Sequence, residues 1–235
     1  MIRLEHTCCA IIVAAGNSSR MALKISKQLI PLCGIPVLAW TLMAFEKSQM
    51  VDRVVLVCRP EDLPVIQEFP SQYKLRKEIV FTPGGQTRQQ SVASGISAAG
   101  MVDYYAIHDG ARPLITPEEI DRVISDAYLY GAAALGTPVK DTIKVVGKDG
   151  MVLSTPDRSQ LWTVQTPQVF QRELYLNALN LARNEGADYT DDCQLVERFG
   201  GKVHLCPGSY ENLKLTTPED ILQGETILQK RRGQF

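Results

Sequence analysis

The chain has 235 residues, 45% of them apolar and 22% charged, an ordinary globular composition with enough length to bury a sizeable core. Its formal net charge of −1 excludes a general attraction to nucleic acid or to an anionic membrane, so any anion site has to be made locally. The N-terminal run MIRLEHTCCAIIVAAG is too short in apolar residues to span a bilayer and lacks the basic start and cleavage site of a secretory signal, so a cytoplasmic protein with no membrane partner is expected.

Residues 8–13 form a continuous apolar run closed by Ala14-Ala15-Gly16, the pattern of a strand buried on both faces. Helical spacing follows over 36–45, then a second buried strand over 54–58 that ends at Arg59-Pro60. Residues 60–69 make a poor helix candidate, 78–81 a third strand, 87–99 a helix and 104–108 a fourth strand. Thr116-Pro117-Glu118-Glu119 is a strong helix start: threonine can cap, proline fits the first turn and Glu119 completes a capping box. Ile120, Val123, Ile124 and Ala127 then make an apolar stripe. A fifth strand is expected over 132–136, helices over 173–183 and 192–199, a short strand over 203–206, and a last helix opening at Thr217-Pro218. The six cysteines, Cys8, Cys9, Cys33, Cys58, Cys193 and Cys206, include no C-x-x-C pair and read as reduced structural thiols.

One segment breaks the alternation. Residues 140–146 and 151–154 are strand-like and flank Gly147-Lys148-Asp149-Gly150, a hairpin signature where a helix is due. The sequence therefore predicts one α/β domain over 1–235: a Rossmann-like, mostly parallel twisted sheet with helices on both faces, plus a protruding β-hairpin arm at 138–160. Ligands in such folds bind at the carboxyl ends of the strands.

After the first strand, small residues and Gly16 let backbone N–H groups approach a ligand, with Arg20 and Lys27 just beyond. Amides plus two cations suit a polyphosphate; a polar loop with solvated charges fits the same residues. The Walker A spacing is absent, and the dinucleotide fingerprint lacks two of its three glycines. Asp109 and Arg112 in HDGARP read equally as an ion pair closing a turn and as ligand-binding groups at a strand end. His108 reads as a packed strand-end residue, and Asp191-Asp192 as the acidic start of a helix rather than a metal pair. No protein metal ligand is nominated.

Taken in order, the segments carry more. AIIVAAGNSSRM, with SKQLIPLCGIPVLAW behind it, resembles the sugar-phosphate nucleotidyltransferases. With GGQTRQQSV, HDGARP, PVKDTIK, DRSQLW, QTPQVF, YTDD and NLKLTTPED added, the set resembles the 2-C-methyl-D-erythritol 4-phosphate cytidylyltransferase family over about residues 8–220. The resemblance implies attack of a phosphate monoester oxygen on the α-phosphorus of CTP, with pyrophosphate leaving. Such a nucleophile needs no base, since its second pKa is near ~6; the reaction needs positioning and fixed cations.

By this resemblance Arg20 and Lys27 hold the triphosphate and stabilise the transition state, while Arg158 and Lys214 position the acceptor phosphate. Ala14, Ala15, Gly16, Gly85, Gln86 and Ser91 would hold the nucleotide, and Gly110 its ribose. Asp109 would bond the acceptor hydroxyls, Arg112 orient that loop, and Thr142, Thr166 and Thr190 add hydroxyl contacts. Mg²⁺ is implied, held by phosphate oxygens and water. The arm implies a homodimer in which Thr142 and Arg158 enter the partner's site. Two positions depart from the family pattern: Gln86 stands where an acidic residue is common, and Gly110 where many members have alanine. The nearest rival is a cytidylyltransferase for ribitol 5-phosphate, whose members tend to read leucine-alanine-glycine-glycine in place of Val13-Ala14-Ala15-Gly16 and often serine-valine within HDGARP. A non-catalytic nucleotide-binding module would be expected to lose Arg20, Lys27 or Lys214, and all three are present.

Overall fold

The computed structural model describes residues 6–16 and 26–232; the loop that carries Arg20 lies outside them. A seven-stranded sheet runs in the order β11 (His204–Pro207), β7 (Ala132–Pro138), β10 (Trp162–Gln171), β6 (Tyr104–Asp109), β1 (Cys8–Val13), β4 (Arg53–Cys58) and β5 (Glu78–Pro83). Adjacent strands are parallel, except that β10 is antiparallel to both β6 and β7. Two short hairpins stand apart, β2 (Pro31–Leu32) with β3 (Ile35–Pro36), and β8 (Val145–Val146) with β9 (Val152–Ser154).

The alternation along β1 explains the layering. Ala10 and Ile12 join a core with Leu38 and Phe45 of α1 (Val37–Lys47) and Ile120 and Ile124 of α5 (Pro117–Tyr130). Cys9 and Ile11 point the other way, toward two groups of helices. These are α4 (Arg88–Ala99), through Val92 and Ile96, and α6 (Arg172–Glu185) with α7 (Asp192–Arg198), through Tyr175, Leu179 and Leu195. Each fully buried large apolar side chain is worth about 1.5–3 kcal/mol. The expected capping box is formed: Thr116 Oγ1 accepts from the Glu119 N–H at 3.3 Å, and Glu119 Oε2 accepts from the Thr116 N–H at 3.1 Å. All six thiols are free, and burial pushes Cys9 up to about 12, so it stays protonated at neutral pH. Among the described residues no helix is long and apolar enough to cross a membrane.

The structure adds elements that sequence patterning does not predict. The largest is β10, the ten-residue strand that inverts the sheet's direction. Its sequence WTVQTPQVFQ holds a proline and polar residues where a buried strand is expected to be apolar, and its register with β7 breaks between Val164 and Gln168. The cis Thr166–Pro167 bond lies in that break. The weak helix candidate after β4 resolves into two single turns, α2 (Leu63–Ile66) and α3 (Phe69–Gln72), each with proline in its first turn. The last helix, α8 (Pro218–Arg232), packs through Leu228 on a small separate core with Leu32, Val37 and Leu215.

Candidate active site

The parallel strands β1, β4, β5 and β6 all end on one side, and the loops leaving them surround an open cleft of about 500 Å³. Ala15 and Gly16 line it from the first loop, Arg59 and Glu61 from the end of β4, Gly84 to Arg88 from the turn into α4, and Asp109 from the end of β6. Lys27, Gln28 and Lys214 also line it. A Cβ on Gly84 would sit 2.2 Å from that of Ala15, so only glycine lets this turn close onto the first loop. Ser91 Oγ accepts from the Gly85 N–H at 3.1 Å and donates to the Thr87 carbonyl at 2.9 Å, fixing the same turn. Gln86 is exposed at the rim, its N–H donating to Gln90 Oε1 at 2.9 Å.

Asp109 is the centre of charge. Lys214 Nζ lies 2.7 Å from Oδ2, Arg88 Nε 3.3 Å from Oδ1 and Arg112 Nε 3.9 Å from Oδ2. Burial raises the pKa of this carboxyl, but Arg88, Lys214 and Arg112 outweigh it and hold the group well below the usual carboxylate range. Asp109 is therefore a permanent anion and an acceptor only. Beneath it a chain of hydrogen bonds fixes the loop. The Asp109 N–H donates to Thr166 Oγ1 at 3.1 Å, and Thr166 Oγ1 lies 3.0 Å from His108 Nδ1. His108 Nε2 lies 3.3 Å from the Arg112 carbonyl. A carbonyl only accepts, so Nε2 carries the proton and Nδ1 accepts from Thr166. Burial lowers His108 to about 3, which keeps the imidazole neutral and leaves it a structural part, as its strand-end position suggests.

Lys214 arrives from a distant stretch of sequence, held by hydrogen bonds to backbone carbonyls on either side of it. Arg112 Nη1 donates to the Asn212 carbonyl at 2.7 Å, Asn212 Nδ2 donates to the Thr166 carbonyl at 3.0 Å, and the Leu215 N–H donates to the Ala111 carbonyl at 2.9 Å. HDGARP, QTPQVF and NLKLTTPED thus form one structural unit.

Arg88 was not nominated from sequence. It reaches Asp109 on one side and the buried Asp192 on the other, with Nη1 at 2.5 Å from Asp192 Oδ2. Burial lowers its pKa, and the two carboxylates more than offset this. Tyr175 donates to the same Asp192 at 2.6 Å. A signal was available: Arg88 is the first residue of α4, at the positive end of a helix dipole, where a cation is unfavourable unless carboxylates face it. Asp191 caps α7 by accepting from the Gln194 N–H, the helix start expected there.

The other nominated residues fall elsewhere. Ala14 and Gly110 are buried behind the cleft wall, Gly110 donating its N–H to the Val13 carbonyl. Thr190 is exposed just before α7. Thr142 and Arg158 do not line the cleft of their own chain. Both are exposed near the β8–β9 hairpin, where Arg158 Nη1 donates to the Lys140 carbonyl at 2.7 Å.

A family model described as IspD, 2-C-methyl-D-erythritol 4-phosphate cytidylyltransferase, matches residues 8–230. The chain belongs to this family. A relative from Caldanaerobacter subterraneus subsp. tengcongensis that bears the same name is 46% identical over 223 residues, spanning 94% of this chain and 98% of the relative. The solved structure of 4-diphosphocytidyl-2C-methyl-D-erythritol synthase from Anaerococcus prevotii is similar with a TM-score of 0.86 at 30% identity, covering 95% of this chain and 96% of that one. The Thermus thermophilus 2-C-methyl-D-erythritol 4-phosphate cytidylyltransferase aligns with a TM-score of 0.77 at 30% identity, over 93% of this chain and 98% of that one. The family is named for the methylerythritol substrate, which favours it over the ribitol rival.

Proposed function

We propose that this chain transfers CMP from CTP to 2-C-methyl-D-erythritol 4-phosphate, giving CDP-methylerythritol and pyrophosphate. The observation that carries this reading is the meeting of Lys27, Asp109 and Lys214 at one cleft, on a chain that matches the family over 8–230. The cleft's volume falls in the range of about 300–1,000 Å³ usual for small-molecule sites. Among the described residues its lining holds the cations Lys27, Arg59, Arg88 and Lys214; Arg59 is paired with Asp62 and Arg88 with Asp109 and Asp192, so the anion-binding role is assigned to Lys27 and Lys214.

In the proposed reaction an acceptor phosphate oxygen forms a bond to the α-phosphorus and the bond to the pyrophosphate oxygen breaks. Lys27 and Arg20 stabilise charge on the phosphoryl oxygens as it redistributes. Lys214, oriented by Asp109, directs its remaining N–H groups at the acceptor phosphate, and Asp109 accepts from acceptor hydroxyls through its remaining lone pairs. The Ala15–Gly16 and Gly84–Ser91 backbones, with Ala14 behind them, hold the cytidine. No base is called for, which accords with the depressed pKa values of Asp109 and His108, each of which makes a weak proton acceptor.

Mg²⁺ is part of the proposal. Asp109 is matched by three cations and, among the described residues, Glu61 is the cleft's other carboxylate, so the ion would be held mainly by phosphate oxygens and water. It would neutralise charge between the phosphates. The β8–β9 hairpin would grip a second subunit and bring Thr142 and Arg158 to its site, with Thr166 and Thr190 contributing from the chain that holds the cleft. The free thiols support a reducing, cytoplasmic setting. The test is pyrophosphate release from CTP with each acceptor. Methylerythritol phosphate should support turnover that chelation abolishes; faster turnover with ribitol 5-phosphate, or none with either, would refute the assignment.

A further inference from the structure

The carboxamide of Gln28 is built into the cleft with a need that the described residues do not meet. The residue sits in the single 3-10 turn Lys27–Leu29, is 4% exposed and lines the cleft beside Lys27. Its Oε1 is buried and has no hydrogen-bond partner among the described residues. It lies 3.1 Å from where a Cβ on Gly110 would stand, next to the end of β6, so the missing side chain at 110 leaves it room. A buried carbonyl oxygen without a donor is unfavourable, and such groups in native proteins call for an explanation.

We infer that Gln28 is a substrate-positioning residue whose carboxamide binds a neutral sugar or polyol hydroxyl of a bound substrate. The chemistry selects this partner. Phosphate oxygens only accept at neutral pH and cannot satisfy an amide oxygen; a hydroxyl donates to it and also accepts from the adjoining NH₂. The terminal torsion of glutamine is soft, so the group can turn toward a ligand at small cost. The inference rests on the proposed CMP transfer, in which two molecules bring hydroxyls: the ribose of CTP and the methylerythritol acceptor.

The experiment compares wild type with Gln28→Met, which keeps the length and loses the hydrogen bonds, and Gln28→Ala. Calorimetry with Mg²⁺ measures the affinity of CTP, 2′-deoxy-CTP and 3′-deoxy-CTP; kinetics measure the KM of methylerythritol phosphate. If the ribose is the source, Gln28→Met weakens CTP roughly 2–10-fold, the effect of one net hydrogen bond. One deoxy nucleotide then shows the same deficit on wild type and no further loss on the variant. If the acceptor is the source, nucleotide affinities hold and the acceptor KM rises by a similar factor. Gln28→Met should melt no lower than wild type, because it removes an unpaired buried polar group. Equal weakening of all three nucleotides with an unchanged acceptor KM would overturn the inference, as would unchanged affinities with a lowered Tm, or no change at all. Wild type that binds CTP but releases no pyrophosphate would refute the reaction and leave the nucleotide comparison as the test of Gln28.

Discussion

At the cleft floor, Asp109 meets Lys214, Arg88 and Arg112, and the loop beneath it is tied through Thr166, His108 and Asn212. In the β8–β9 hairpin the pattern is reversed. Ile143, Val145, Val146, Met151, Val152 and Leu153 are all exposed, Leu153 at 68%, and the paired strands are only two and three residues long. An isolated two-stranded hairpin is marginal in water. One region is tied by charge pairs and hydrogen bonds within the chain, and the other leaves its apolar side chains uncovered. Preorganised charge needs a floor already in place before substrate arrives, whereas an apolar hairpin gains its stability from a surface that covers it. That contrast supports the proposed division, with chemistry at the cleft and a second subunit at the hairpin.

The comparison breaks most decisively at Arg88. Arg88→Met removes cations from Asp109 and from the buried Asp192 together. Breaking a buried ion pair on one side costs about 3–5 kcal/mol, and denaturant unfolding should show a loss of that order with a raised KM for methylerythritol phosphate. A loss under about 1 kcal/mol would mean that the floor is not held by these pairs. Lys27→Ala tests chemistry over assembly: kcat should fall ~10²–10³-fold with KM for CTP changed far less. An unchanged kcat removes Lys27 from the transition state.

The hairpin's side is sharpened by subunit exchange. Inactive Lys27→Ala chains mixed with inactive Arg158→Ala chains should recover roughly a quarter of wild-type activity if Arg158 works across a two-fold interface, since about half the dimers are mixed and each has one intact site. A mixture that stays inactive places Arg158 in its own chain's reaction.

His108 sets the pH response of the floor. Its folded pKa is about 3, and its unfolded value is about 6.5. Between these values the unfolded chain binds a proton that the folded chain refuses, so stability falls as pH falls through that window. The slope is about 1.4 kcal/mol per pH unit per proton. Asp109, whose folded pKa is depressed, adds to the fall only below about pH 4. His108→Gln should flatten the slope between pH 6 and 4.5; an unaltered slope assigns the acid sensitivity to other groups. The smallest effect belongs to Leu153→Asp, which should change single-chain stability by no more than about 0.5 kcal/mol while light scattering shows loss of the dimer. Unfolding of the variant would show that the hairpin packs on its own chain.

The alternation of buried strands and helices was legible because those elements carry their own periodicities and caps: β1 is apolar throughout, and Thr116 with Glu119 forms its box locally. The order of motifs placed the chain in its family, and it led to Lys27, Asp109 and Lys214 at one cleft. The direction of β10 was not legible, because Gln165, Thr166 and Gln168 are buried on polar partners and Pro167 stands among them, which together erase the strand's apolar pattern. Nor were the partners of Asp109. Arg88 and Lys214 are separated from it by 21 and 105 positions, and although a cation opening α4 points to a facing carboxylate, nothing local says which one. Only the packing of α4 and of the 212–215 segment onto the end of β6 selects which charges meet, and the orphaned oxygen of Gln28 becomes visible only once the walls around it are in place.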